Sequence, residues 1–158
     1  MRTLRNIESI LVLCEGNHCR SPIAEGLLKA TLGPEIRVES AGLKAIEGHP
    51  AHPEALRLMA ERGIDISAHR SRQLTPSMAL SANLILVMDQ QQKDWCAQIA
   101  PSTRGRVFLL GQWLPSPPRD IADPLFQNSE AFRLAFDIIQ RSVEGWLPRI
   151  ARKQKELA

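Results

Sequence analysis

The sequence predicts an α/β domain: a parallel sheet with helices on both faces, layered as a three-layer sandwich. Three observations point there. Short runs rich in Ile, Leu and Val recur at 10–13, 84–88 and 107–110, as strands buried on both faces require. Segments with apolar residues at helical spacing lie between and after them. Strand and helix alternate, as in right-handed crossover connections. At 158 residues the chain has one domain's length and enough material for a core without staples, so residues 1–158 are read as a single domain.

Each element has its own signals. Ile7 to Leu13 (IESILVL) suits a buried strand. It runs into CEGNHCRS and then a helix with Pro22 in its first turn, Ala24, Leu27 and Leu28 on one face, and Gly33–Pro34 as its stop. Ile36 to Ser40 is the second strand. Pro53 to Arg62 is a helix with Ala55, Leu56, Met59 and Ala60 periodic and Gly63 as its end. Leu84 to Met88 is the third strand, and Asp89 caps a helix ended by Pro101. Val107 to Leu110 is the fourth. A Pro-rich loop, Pro115 to Pro124, leads to a last helix where Phe132, Phe136, Ile139, Val143 and Leu147 form an apolar stripe.

Composition excludes several classes. An apolar fraction of 44% and a charged fraction of 23% fit a globular chain, neither disordered nor fibrous. A net charge of +3 is too small to argue for nucleic acid. No run approaches the roughly 20 apolar residues of a transmembrane helix, so stable membrane insertion is not expected. Met1 to Glu8 is polar and Ile10 to Leu13 is short, so no secretory leader is expected and the location reads as cytoplasmic. In a reducing compartment Cys14, Cys19 and Cys96 read as catalytic, redox-active or buried thiols, with Cys96 in the core. His49 and His52 beside Cys14 and Cys19 lack the paired spacing of a zinc site, so no metal and no cofactor is expected. Arg149, Arg152, Lys153 and Lys155 read as a solvated tail favoured at a helix C-terminus. The chain has no Tyr.

In parallel sheets ligands bind beyond the carboxyl ends of the strands. The loop from Cys14 to Arg20 occupies that position. A short loop entering a helix directs several backbone N–H groups into one concavity, and the helix dipole adds positive charge. Such a cradle fits a tetrahedral oxyanion. Glu15, Gly16, Asn17, His18, Cys19 and Arg20 are the residues that would surround it. Arg20 adds a planar bidentate donor. Gly16 permits close backbone approach, and Asn17 tolerates a left-handed conformation. Ser21 can donate a hydrogen bond to Cys14, and the positive field favours the nucleophilic thiolate there. A thiolate facing a bound phosphate can attack phosphorus.

ILVLCEGNHCRSPIAE (10–25) resembles the active-site segment of low-molecular-weight protein tyrosine phosphatases. VESAGL (38–43), AHRSRQL (68–74) and DIADP (120–124) resemble that family's second-strand segment, His-containing loop and acid loop, in order. The resemblance implies a four-stranded sheet in the order 2-1-3-4. It implies that Cys14 is the nucleophile, Arg20 the phosphate clamp, and Asp123, followed by Pro124, the general acid. From the residues alone, Asp123 is more simply a turn or cap residue. Ser21, Ser40, His69 and Asn17 match the family's polar network, which holds the loop in shape. The resemblance also implies a reversible Cys14–Cys19 disulfide under peroxide. From the residues alone, Cys19 is equally well a small side chain packed under the loop.

Some positions depart from the family pattern. His18 stands where an apolar residue is common, and Glu15 is an uncommon neighbour for the nucleophile. Leu125 and Phe126 follow Asp123–Pro124 where tyrosines are frequent. The segment LKAIEGHPAHPEA (43–55) has no aromatic residue, and Ile46 stands where eukaryotic-type members carry a stacking ring. The aryl pocket is therefore expected to use Ile46, His18, Leu125 and Phe126. This pattern is similar to bacterial members associated with exopolysaccharide or capsule synthesis. It implies a phosphotyrosine protein as partner, a membrane-anchored tyrosine autokinase. Two other readings share the cradle. A thiol-coupled arsenate reductase needs a further cysteine pair, whereas only Cys96 remains. A non-catalytic phosphate-binding module needs no general acid.

Overall fold

Residues 7–157 are described by the computed structural model, with side chains through Ile150. Six buried residues form β1 (Ser9–Cys14), which lies between β2 (Arg37–Gly42) and β3 (Leu84–Val87). The short β4 (Val107–Leu109) pairs with β3, every pairing is parallel, and the order is β2-β1-β3-β4, as the resemblance implied.

Alternate side chains of a strand face opposite sides of its sheet. Ile10, Val12 and Cys14 of β1 therefore join one core with α1 (Arg20–Thr31), α2 (Pro53–Glu61) and α5 (Ser129–Leu157). Leu11 and Leu13 join the other, with Ala79 of α3 (Pro76–Ser81) and Cys96 of α4 (Gln90–Ile99). Three layers result. The expected cap forms: the Asp89 carboxylate accepts the Gln92 N–H at 2.8 Å.

The structure corrects several details. β1 extends to Cys14 and β2 to Gly42, because register pairs those two residues at the sheet's carboxyl edge. The α2 face is Ala55, Leu58 and Met59, with Ala60 exposed. The α5 stripe continues through Trp146 and Ile150, and Leu147 is only half-buried. The helix α3 went unpredicted because six residues with one buried position carry no period. The helix capped by Asp89 does stop before Pro101, which opens an additional 3₁₀ turn (Pro101–Arg106). Arg149 is packed rather than solvated: its guanidinium stacks 3.5 Å above the Trp113 ring and donates to the Gly145 carbonyl at 2.8 Å. The leader expectation on residues 1–6, and the side chains of Arg152, Lys153 and Lys155, lie outside the described residues.

Candidate active site

Cys14 ends β1 at the sheet's carboxyl edge, and Arg20 opens α1. The loop between them turns through Asn17, whose φ of 55° is the left-handed conformation its short amide tolerates. Asn17 is fully buried, and both ends of its side-chain amide and its carbonyl are engaged. Its Nδ2 donates to Ser21 Oγ at 2.8 Å and to Ser40 Oγ at 2.9 Å. Its Oδ1 accepts the Arg72 N–H at 3.0 Å, and its carbonyl accepts from His69 Nε2 at 2.8 Å. A carbonyl only accepts, so Nε2 carries the His69 proton. Ser21 Oγ lies 3.0 Å from Cys14 Sγ, and both are buried. The network expected of Asn17, Ser21, Ser40 and His69 is therefore formed.

Arg20 is 3% exposed, and its head group reaches the opposite loop. Nη1 donates to the Ile121 carbonyl at 2.6 Å, and Nη2 lies 3.4 Å from Asp123 Oδ2. The other Asp123 oxygen accepts the Leu125 N–H at 3.0 Å, so the carboxylate is turned toward Arg20. A turn follows, closed by the Gln127 N–H on the Pro124 carbonyl at 3.0 Å. Phe126 occupies it at φ 65°, a left-handed conformation that costs a phenylalanine about 1–2 kcal/mol.

A cleft of about 760 Å³ opens beside this constellation, lined among others by Glu15, Gly16, His18, Ile46, Leu125 and Phe126. Phe126 is 97% exposed and Ile46 70%, so both stand at the rim rather than forming buried walls. The strained turn is what throws the Phe126 ring outward.

A model of the family described as low molecular weight phosphotyrosine protein phosphatase matches residues 9–156. The chain belongs to this family. It is 49% identical over 144 residues to the "Probable low molecular weight protein-tyrosine-phosphatase EpsP" of Ralstonia nicotianae, covering 91% of this chain and 97% of that protein. It is similar to the tyrosine phosphatase Wzb of Escherichia coli K30 in complex with sulphate, with a TM-score of 0.86 and 35% identity over 92% of this chain and 99% of that one. It is also similar to the YwlE arginine phosphatase of Geobacillus stearothermophilus, with a TM-score of 0.87 and 34% identity over 94% and 96% of the two chains.

As a member of the low-molecular-weight phosphatases, the chain differs from its own sequence expectation at the glycines. A Cβ on Gly16 would meet nothing closer than His18 Cβ at 3.8 Å. The close approach is at Gly42, where a Cβ would lie 2.8 Å from the Glu15 carbonyl oxygen and 3.0 Å from Asn17 N. The sheet edge thus presses on the anion loop from behind, and only glycine fits there. Gly42, Arg72 and Glu25 were not singled out from sequence. Glu25 had a legible signal, since it follows Ser21 by one helical turn.

Cys19 is 4% exposed. Burial pushes its thiol up to about 12; proximity to Cys14 and Asp123 adds to this, and Arg20 opposes it. It therefore stays a protonated thiol under the loop, while Cys14 carries the candidate chemistry.

His18 donates from Nδ1 to the Pro50 carbonyl at 3.0 Å, and its ring meets that of His52 edge-on at 5.3 Å. His52 in turn caps α2 by accepting the Glu54 N–H on Nδ1 at 3.1 Å, and stacks on Phe132. Burial holds the His18 imidazole below its ordinary value of 6.5; the Pro50 hydrogen bond opposes this, and His52, His49 and His69 lower it further. With a lowered folded value, the unfolded chain takes up the proton first as pH falls through about 6.5, so this site's stability is present at neutral pH and lost in acid. The expected result is that urea midpoints of wild type fall more than those of His18→Asn between about pH 7.5 and about pH 5.5. Equal falls would remove His18 as the source.

Proposed function

We propose that this chain hydrolyses protein phosphotyrosine through a cysteinyl-phosphate intermediate. The observation that carries the reading is the convergence of Cys14, Arg20 and Asp123, from β1, α1 and a distant loop, on one edge of the sheet. The Cys14 thiolate attacks phosphorus, a P–S bond forms and the P–O bond to the phenol breaks. Asp123 gives its proton to the departing oxygen, then takes one from the water that attacks the phosphocysteine. The loop N–H groups from Glu15 to Arg20 and the Arg20 guanidinium hold the phosphoryl oxygens. Ser21 supports the sulfur, and Ser40, His69 and Pro124 support the two loops. Ile46, Leu125 and Phe126 offer apolar surface to an aryl leaving group.

The segment 43–55 without an aromatic ring supports the exopolysaccharide-type assignment. The partner is then the tyrosine-phosphorylated part of a membrane-anchored autokinase, met in the cytoplasm. Among the described residues no helix is long and apolar enough to cross a membrane. The arsenate-reductase alternative finds no support in the cysteines, since Cys96 is fully buried in the core opposite Cys14. A bare phosphate-binding module needs no proton donor, whereas Asp123 sets a carboxylate 3.4 Å from Arg20.

Likeness to an arginine phosphatase sets the test. Peptides carrying phosphotyrosine, phosphoserine and phosphoarginine are compared for release of phosphate. Phosphotyrosine is expected to lead in kcat/KM by roughly tenfold or more, because only the phenol ring buries area against the rim. Preference for phosphoarginine would overturn the substrate assignment, and no release from any peptide would overturn the activity.

A further inference from the structure

We propose that Glu25 is a positioning residue: its carboxylate fixes the direction of the hydrogen-bond chain Glu25–Ser40–Asn17–Ser21–Cys14, so that the Ser21 proton points at the Cys14 sulfur. The inference rests on Cys14 being the nucleophile.

The direction follows from donor and acceptor accounting. Ser40 Oγ lies 2.5 Å from Glu25 Oε1. An ionised carboxylate has no proton to give, so Ser40 must donate. Ser40 then has lone pairs left for Asn17 Nδ2, at 2.9 Å. The same Nδ2 donates to Ser21 Oγ at 2.8 Å, which leaves the Ser21 proton free for Cys14 Sγ at 3.0 Å. The Arg72 N–H on Asn17 Oδ1 holds the amide in the same sense from its other side. Lys29 Nζ fixes the outer end, donating to Glu25 Oε2 at 2.7 Å. Asn17, Ser21 and Ser40 are each at most 3% exposed, so water does not supply alternative partners.

The charged groups around the two ends are few. Glu25 shares a cleft with Lys29 of its own helix and with Asp65 and His69 of the facing loop. Arg72 and Glu39 pair beside Ser40. At the other end Cys14, Asp123 and Arg20 all act on the Cys19 thiol, and Arg20 pairs with Asp123.

Charge alone predicts the opposite of the relay. A carboxylate near a thiolate repels it, so removing Glu25 by Coulomb's law favours the thiolate. The relay predicts disfavour. In Glu25→Gln, Lys29 draws the amide oxygen, and the amide NH₂ faces Ser40. Ser40 then has two donors and no acceptor for its own proton. Turning over the Asn17 amide satisfies it, and Ser21 then donates to Asn17 instead of to sulfur.

The test is the pH dependence of iodoacetamide alkylation at Cys14, read by mass spectrometry, alongside kcat and KM for an aryl phosphate. For Glu25→Gln and Glu25→Ala the alkylation midpoint is expected to rise by about 0.5–1 pH unit. The expected kcat falls roughly tenfold with little change in KM. Ser21→Ala should shift the midpoint in the same direction, and the double variant Ser21→Ala/Glu25→Gln no further than Ser21→Ala alone. A midpoint that stays or falls in folded Glu25→Gln overturns the relay, and so do additive shifts. If Cys14→Ser retains turnover, the nucleophile assignment fails and takes the relay with it. If Cys14→Ser is inactive and the Glu25 midpoint does not rise, the relay alone fails.

Discussion

Cys14→Ser is expected to abolish turnover of aryl phosphates, by roughly 10⁴-fold or more, while leaving phosphopeptide binding within about threefold of wild type. The two halves of that expectation have separate physical origins. In the proposed mechanism the phosphoryl group is held by loop N–H groups and by Arg20, and the substitution touches neither. The loop's shape is held by Asn17, Ser40, Arg72 and His69, and those bonds do not involve sulfur. Attack on phosphorus needs a thiolate, and a serine hydroxyl at the same place has no adjacent base to ionise it. Its neighbour Ser21 can donate a proton at 3.0 Å but does not accept one strongly. The variant therefore binds without turning over, and it should retain phosphotyrosine proteins from a lysate. The checks are steady-state hydrolysis, calorimetric titration with a phosphotyrosyl peptide, and ³²P labelling of the wild-type enzyme at Cys14. Turnover within roughly tenfold of wild type would remove Cys14 as nucleophile.

Much of this architecture is written in local patterns, and its gaps have physical causes. The loop from Cys14 to Arg20 was legible because its chemistry and its place between strand and helix lie in one short segment. The α5 stripe was legible as far as Val143. Two successive four-residue steps, 139 to 143 to 147, drift away from a 3.6-residue turn, and the core takes Trp146 instead. Trp146 is fully buried with its Nε1–H on the Leu110 carbonyl at 2.8 Å, a partner no periodicity shows. Gly42 and Arg72 escaped because their importance is a matter of register. Parallel pairing brings Gly42 beside Cys14, and the Gly42–Gln73 bridge sets Arg72 against Asn17. Such relations exist only once strands have chosen neighbours. The exposure of Phe126 at the cleft rim was not legible. That depends on a left-handed turn which sequence gives no reason to expect at phenylalanine.

Asp123→Asn is expected to lower hydrolysis of phosphotyrosine by about 10²- to 10³-fold, and hydrolysis of a dinitrophenyl phosphate by no more than about tenfold. A dinitrophenolate departs without a proton, whereas tyrosine's phenolate needs one, so the variant should grade its loss by the leaving group's basicity. The substitution is nearly isosteric, and the Asn amide oxygen can still accept the Leu125 N–H that Asp123 accepts at 3.0 Å. The turn bearing Leu125 and Phe126 should therefore keep its place, and KM should change little. Loss of the base for the hydrolytic water should also slow the second step, so that with the activated ester the phosphocysteine builds up and a burst of dinitrophenolate precedes the steady state. One competing account must be separated. Asp123 lies 3.4 Å from Arg20, so it could matter only by orienting the guanidinium. Arg20 has a second anchor in the Ile121 carbonyl at 2.6 Å, which the substitution leaves alone. An orienting role would cost all substrates alike, because every one presents the same phosphoryl oxygens to Arg20. A loss independent of leaving group, with no burst, would assign Asp123 to holding Arg20 and would leave the proton donor to be found elsewhere.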